Sequence, residues 1–128
     1  NARIHSFITI MELSFPNPMD QKGLIATTGY ESDIEEVSFL ERLNEHPLSK
    51  QENLFLLAEN AETMQAFLTP KRISAIKDFL RLSKAPKMIL FTDDRTVMEF
   101  QTVNPLDNLG QIEKLYKRLQ NIAGRIAA

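Results

Sequence analysis

Few side chains in this sequence are of the types that carry chemistry, and most of those are carboxylates. There is no cysteine, and the histidines are His5 and His46 alone. Without a thiol the chain has no thiolate metal site, no thiol nucleophile and no disulfide. The histidines show neither His-x-His nor His-x-x-x-His spacing, so a metal site would have to bring in Glu12 or Glu45. Their types and spacing favour structural or surface roles. Asp93 and Asp94 could join Glu99 as a metal or acid–base cluster. Adjacent aspartates between two strands equally suit a plain hairpin turn, because they bond their own backbone. Asp33, Glu35 and Glu36 could hold a cation near a helix start, where a favourable dipole arrangement explains them as well. The glycines Gly23, Gly29, Gly110 and Gly124 form no phosphate-cradling loop, and no Gly-x-Ser-x-Gly elbow is present. The sequence therefore names no catalytic set and implies no cofactor or metal.

Its strongest candidate is a basic cluster. Lys71, Arg72, Lys77, Arg81, Lys84 and Lys87 stand against Asp78 alone, whereas residues 31–62 carry nine acidic side chains against Arg42 and Lys50. Such a split can steer a charged partner toward one face. It is also what two ordinary solvated faces look like. The basic residues suit anionic lipid headgroups, an acidic protein partner or the acidic face of another copy. Nucleic acid is not expected, since the net charge is −2 and no aromatics interleave the cations.

The elements that must position these residues are legible in most places. Leu54–Leu57 is a short continuous apolar run and reads as a buried strand. Asn60 follows as a helix N-cap, with Met64, Phe67 and Leu68 at helical spacing behind it. Thr69-Pro70 is a second helix start, because proline at the first helical position forfeits no hydrogen bond. Ile73, Ile76, Phe79 and Leu80 form the apolar face of that helix, with Lys71, Arg72, Lys77 and Arg81 largely off it. Met88–Phe91 is another buried strand, and Thr96, Met98 and Phe100 alternate with Val97, Glu99 and Gln101 after the Asp93-Asp94 turn.

Toward the N-terminus, Arg3–Leu13 reads as a strand from its β-branched content, Phe15–Gly23 as a loop, and Leu24–Tyr30 as a strand. Two readings stay open for residues 33–45. The capping box Ser32 to Glu35 favours a helix from Asp33 to about Glu45, while Val37 and Phe39 suit a short strand over Glu36–Leu40. Asn104-Pro105 opens a long final helix with Leu106, Leu109, Ile112, Tyr116, Leu119, Ala123 and Ile126 along one stripe. Lys114, Lys117, Arg118 and Arg125 crowd its C-terminal half, as the helix dipole favours.

At 128 residues the chain predicts one soluble domain with a real core. No apolar run approaches the roughly 18 residues of a membrane-spanning helix. The chain opens on Asn1 rather than Met and closes inside the predicted last helix, which reads as a piece of a longer protein. The predicted fold is α+β: a curved, mostly antiparallel sheet of about five strands, with helices on one face and the long C-terminal helix among them.

Residues from about Leu24 to Ala127 resemble a bacterial family of unknown function whose soluble domain commonly stands beside membrane helices. The resemblance runs through the strand from Leu54 to Asn60 and the helix closing in Ala66-Phe67-Leu68-Thr69-Pro70. It continues through Ile73–Leu82, the strands around Asp93-Asp94, and the helix Leu106–Ile126. Members often have an aspartate where Asn60 stands, and usually a strand where the capping box predicts a helix over 33–45. The resemblance implies a membrane-linked setting, on the cytoplasmic side of a bacterial membrane, and little chemistry. The resulting expectation is a non-catalytic interaction domain that binds a protein partner or anionic lipid surface. The alternatives are a carboxylate- or metal-dependent hydrolase, and a secreted protein acting on another organism's proteins through an exposed loop such as Phe15–Gly23.

Overall fold

The computed structural model describes residues 9–17, 21–27, 41–43, 46–50, 54–82, 86–102 and 109–127. Their strands are β1 (Thr9–Pro16), β2 (Gly23–Thr27), β3 (Glu41–Arg42), β4 (Leu54–Ala58), β5 (Lys87–Phe91) and β6 (Arg95–Thr102). The helices are α1 (Ala61–Phe67), α2 (Pro70–Leu80) and α3 (Leu109–Ala127), and a 3-10 turn covers Pro47–Lys50. The strands form one sheet in the order β1-β6-β5-β2-β4-β3, and every pairing is antiparallel. This is the expected α+β class, with the two-residue β3 as a short sixth strand at one edge.

Local chemistry sets the middle of the chain. Asn60 Oδ1 accepts from the Thr63 N–H at 3.2 Å and starts α1; Thr69 Oγ1 accepts from the Arg72 N–H at 3.3 Å and starts α2. Each satisfies an otherwise orphaned helix donor, worth about 1 kcal/mol. Pro70 occupies the first turn of α2, where its missing N–H costs nothing. Between β5 and β6 the Thr92 N–H donates to the Arg95 carbonyl at 2.9 Å, leaving Asp93 and Asp94 as the two-residue hairpin turn.

Strand alternation then divides the sheet into two faces. Ile25, Leu56, Ile89, Phe91, Met98 and Phe100 point to one side. There they meet Met64 and Phe67 of α1, Ile76 and Phe79 of α2, and Leu119, Ile122 and Ile126 of α3. Burying a side chain such as Phe79, 1% exposed, contributes about 1.5–3 kcal/mol. Phe67 meets Phe91 edge to face at 5.2 Å, which docks α1 on β5. Gly23 lies beneath α1, where an added Cβ would sit 2.5 Å from both the Leu57 carbonyl and Met64 Cε. Leu24, Ala26 and Leu57 form a second, smaller cluster on the opposite face, to which no described helix contributes.

Several boundaries differ from those expected. The first strand runs to Pro16 rather than Leu13, so Phe15 and Pro16 belong to a strand and not to the following loop. Pairing with β6 explains the extension: Phe15 lies opposite Thr96 and Pro16 opposite Arg95. Glu41 and Arg42 pair with Ala58 and Leu57, so this part of the predicted 33–45 helix is strand. Residues 28–40, including the start of that helix and the rival strand over 36–40, lie outside the described residues.

Candidate functional site

The basic cluster of α2 divides in the structure. Lys71 is exposed in the first turn of α2, Lys77 is half-buried on its flank, and Arg81 is exposed at its C-cap. Arg72 is turned inward. Its Nε donates to the Ile126 carbonyl at 2.9 Å, and its Nη1 donates to the Phe67 carbonyl at 3.1 Å. The guanidinium carbon lies 4.5 Å from the centre of the Phe67 ring. Arg72 therefore ties α2 to the end of α1 and the end of α3 rather than facing a partner.

Lys87 also departs from the expected surface. It lies in β5 on the helix-covered side, opposite Phe100, and is only 2% exposed. Its backbone N–H donates to Thr27 Oγ1 at 2.9 Å. Burial pushes its ammonium below the ordinary lysine range. Strand alternation is the reason: Lys87 shares a face with Ile89 and Phe91. Lys84 lies outside the described residues.

Helix packing replaces the lost cations with others. α2 and α3 lie side by side. Arg125 Nη1 reaches Asp78 Oδ2 at 2.6 Å, and Arg125 Nη2 donates to Ser74 Oγ at 3.3 Å. With the pair 34% and 43% exposed, solvent screening holds it to at most about 1 kcal/mol. Its geometric effect is to fix the relative position of the helices. Between them runs a groove of about 510 Å³, flanked by Arg81 from α2 and by Lys117, Arg118 and Arg125 from α3. Asn121 and Ile122 complete its wall, and Asp78, already paired with Arg125, is its one carboxylate. A neighbouring depression of about 340 Å³ carries Lys77 and shares Arg81 with the groove.

The charged surface of the helix layer is thus made by two helices far apart in sequence. The α3 cations were visible in the sequence, but the helix dipole was a sufficient account of them there. Lys117 stands about half a turn from the α3 core stripe and Arg118 and Arg125 about a quarter turn from it, which was the signal that they lie outside the core face together. Guanidinium groups in such a groove present planar forks that match carboxylate and phosphate oxygens.

The carboxylates do not gather. Asp93 Oδ2 pairs with Lys22 Nζ at 3.2 Å, and Lys22 also reaches Glu59 at 3.5 Å. The bond to Asp93 and the nearby negative charge raise the Lys22 pKa above its ordinary value. The Thr92 hydroxyl at 3.0 Å and the Arg95 guanidinium at 3.3 Å hold the Asp94 carboxyl below the usual carboxylate range. Glu99 lies five residues further along β6, about 17 Å away at the rise of an extended strand. Among the described residues, no three His, Asp or Glu side chains stand close enough to share a metal ion.

A small polar cleft of about 160 Å³ nevertheless opens at this end of the sheet, lined by Gln21, Lys22, Glu59, Asn60, Thr63 and Asp93. Its walls are held by internal bonds. Gln21 Nε2 donates to the Thr63 carbonyl at 3.3 Å, and Asn17 Nδ2 donates to the Gln21 and Thr92 carbonyls, both at 2.7 Å. Asn17 and Gln21 are buried, so the described ends of the predicted 15–23 loop are anchored to the hairpin and α1. His46 Nδ1 accepts from the Leu48 N–H at 3.1 Å, and burial lowers its pKa. His5 lies outside the described residues.

No known protein family, curated protein or solved structure matches the chain.

Proposed function

We propose that this chain is a non-catalytic interaction domain that docks an anionic surface through the outer face of α2 and α3. The observation that supports this reading is the groove of about 510 Å³, in which Arg81, Lys117, Arg118 and Arg125 surround a single, already paired carboxylate. Gathering like charges is unfavourable for the free protein unless something anionic meets them. The resemblance adds a setting, a membrane-associated bacterial protein with this domain on the cytoplasmic side. There the anionic surface is a lipid leaflet or an acidic partner held next to it.

Vesicle co-sedimentation tests this directly. The chain is expected to pellet with vesicles containing anionic lipid, to stay in solution with neutral ones, and to be released by salt. Each basic residue near an anionic membrane contributes about 1 kcal/mol. Replacing Lys77, Arg81, Lys117 and Arg118 together by alanine is therefore expected to weaken binding by about two orders of magnitude or more. Arg72 and Arg125 are left intact because they hold the helices together. Salt-sensitive capture of an acidic polypeptide but not vesicles would assign the face to a protein partner. Equal binding by wild type and the fourfold variant would show that the face is only solvated surface.

A further inference from the structure

At the edge of the sheet far from β3 lies β1. Among the described residues β1 pairs with β6 alone, and no described strand lies along its outer edge. Every second residue of an edge strand turns its N–H and C=O away from the sheet. Natural edges are commonly blunted by lysine, by internal proline or by brevity. β1 has none of these: it is eight residues long, contains no lysine or arginine, and meets proline only at its last position, Pro16. Its one charge is Glu12.

Exposed apolar side chains stand on β1 and on the helix that packs against it. Among the described residues the large exposed hydrophobics are Ile10, 54% exposed, and Tyr116, 38% exposed. Ile10 belongs to β1 and points to the face opposite the core residue Met11. Tyr116 belongs to α3, the helix that packs on β1. It lies nine residues from Arg125, half a revolution around the helix, and so faces away from α2.

We propose that β1 is a homodimerisation strand, adding antiparallel to β1 of a second copy to make one sheet continuous through both molecules. The residues of β1 select both the occupant and its register. With Leu13 opposite its own copy on a two-fold axis, Met11 faces Phe15, Glu12 faces Ser14 and Ile10 faces Pro16. Apolar residues then meet apolar residues on both sheet faces, and no like charges are paired. A two-residue slip, with the two-fold axis moved to Glu12, would put Glu12 opposite Glu12, which is unfavourable, and a one-residue slip would put Glu12 opposite Leu13 and pair charged with apolar side chains. In the selected register both helix layers lie on one side of the joined sheet, because directly opposed residues point to the same face.

The test uses the full chain in sedimentation equilibrium. Wild type is expected to be a reversible dimer. Ser14 is exposed, and the register places it against Glu12 of the second copy twice over. Ser14→Glu should raise the dimer Kd about tenfold, and Ser14→Lys should lower it by a similar factor. Because the chain has no cysteine, Leu13→Cys supplies a single thiol on the two-fold axis and should cross-link into a covalent dimer under mild oxidation. Ile10→Cys, opposite Pro16, should not. A wild type that stays monomeric at the highest soluble concentration overturns the proposal. So does a dimer whose Kd ignores both Ser14 substitutions, or cross-linking through Ile10→Cys as fast as through Leu13→Cys.

Discussion

Thr96 spends a buried hydroxyl without return. Its Oγ1 has no hydrogen-bond partner, and the residue is 0% exposed between Phe15 and Phe91. A buried polar group left unsatisfied costs about 1–3 kcal/mol. Thr96→Val keeps the β-branched shape and removes the hydroxyl. It is expected to raise the urea midpoint, corresponding to about 1 kcal/mol of added stability, with the m-value unchanged. At this scale the sequence was readable where the physics is local. Asn60, Thr69 and Pro70 do what their types predict, because a cap needs only the next three residues. Lys87 was not readable, since a lysine beside an apolar run fits a strand end in water as well as a buried rung. Only the pairing with Phe100 and the helix layer above decides it.

Among the elements, the helix layer depends on one side chain more than its exposure suggests. Arg72 joins the C-terminal end of α1, the start of α2 and the C-terminal end of α3 through two carbonyls and a ring. Lysine cannot reproduce a planar fork that serves two acceptors and stacks on an aromatic. Arg72→Lys is expected to destabilise the fold by about 1–2 kcal/mol in urea unfolding. Proteolysis should then detect looser docking of α3 before global unfolding. The same long-range packing explains what the sequence hid about the candidate site. The helices and the hairpin were legible from their caps, periodicity and turn residues. Their neighbours were not, since strand order and the α2–α3 contact join residues dozens of positions apart. The cationic face expected from the sequence consequently takes in the segment 71–87 alone, and two of its members, Arg72 in α2 and Lys87 in β5, are turned inward in the folded chain.

For the molecule as a whole, the buried Lys87 sets a pH dependence. Its folded pKa lies below the unfolded value of 10.5, so over the intervening range the unfolded state binds more protons. Stability is therefore penalised at neutral pH, and the penalty is relieved as pH climbs through the folded pKa toward 10.5. Lys87→Met should be more stable than wild type at pH 7, and the difference should shrink on the alkaline side. Urea titrations at several pH values check this; a constant difference would exclude a titrating Lys87 as the cause. The sheet order carries a further consequence, for the chain while it is being made. β1 leaves the ribosome well before β6, its only described partner strand, with Phe15 paired to Thr96 about 80 residues later. At roughly 5–20 residues per second, that leaves β1 waiting roughly 4–16 s for a template. Throughout that interval an eight-residue, nearly uncharged segment is unpaired on both sides. Newborn copies on neighbouring ribosomes of one message would then meet through β1 before either sheet is finished.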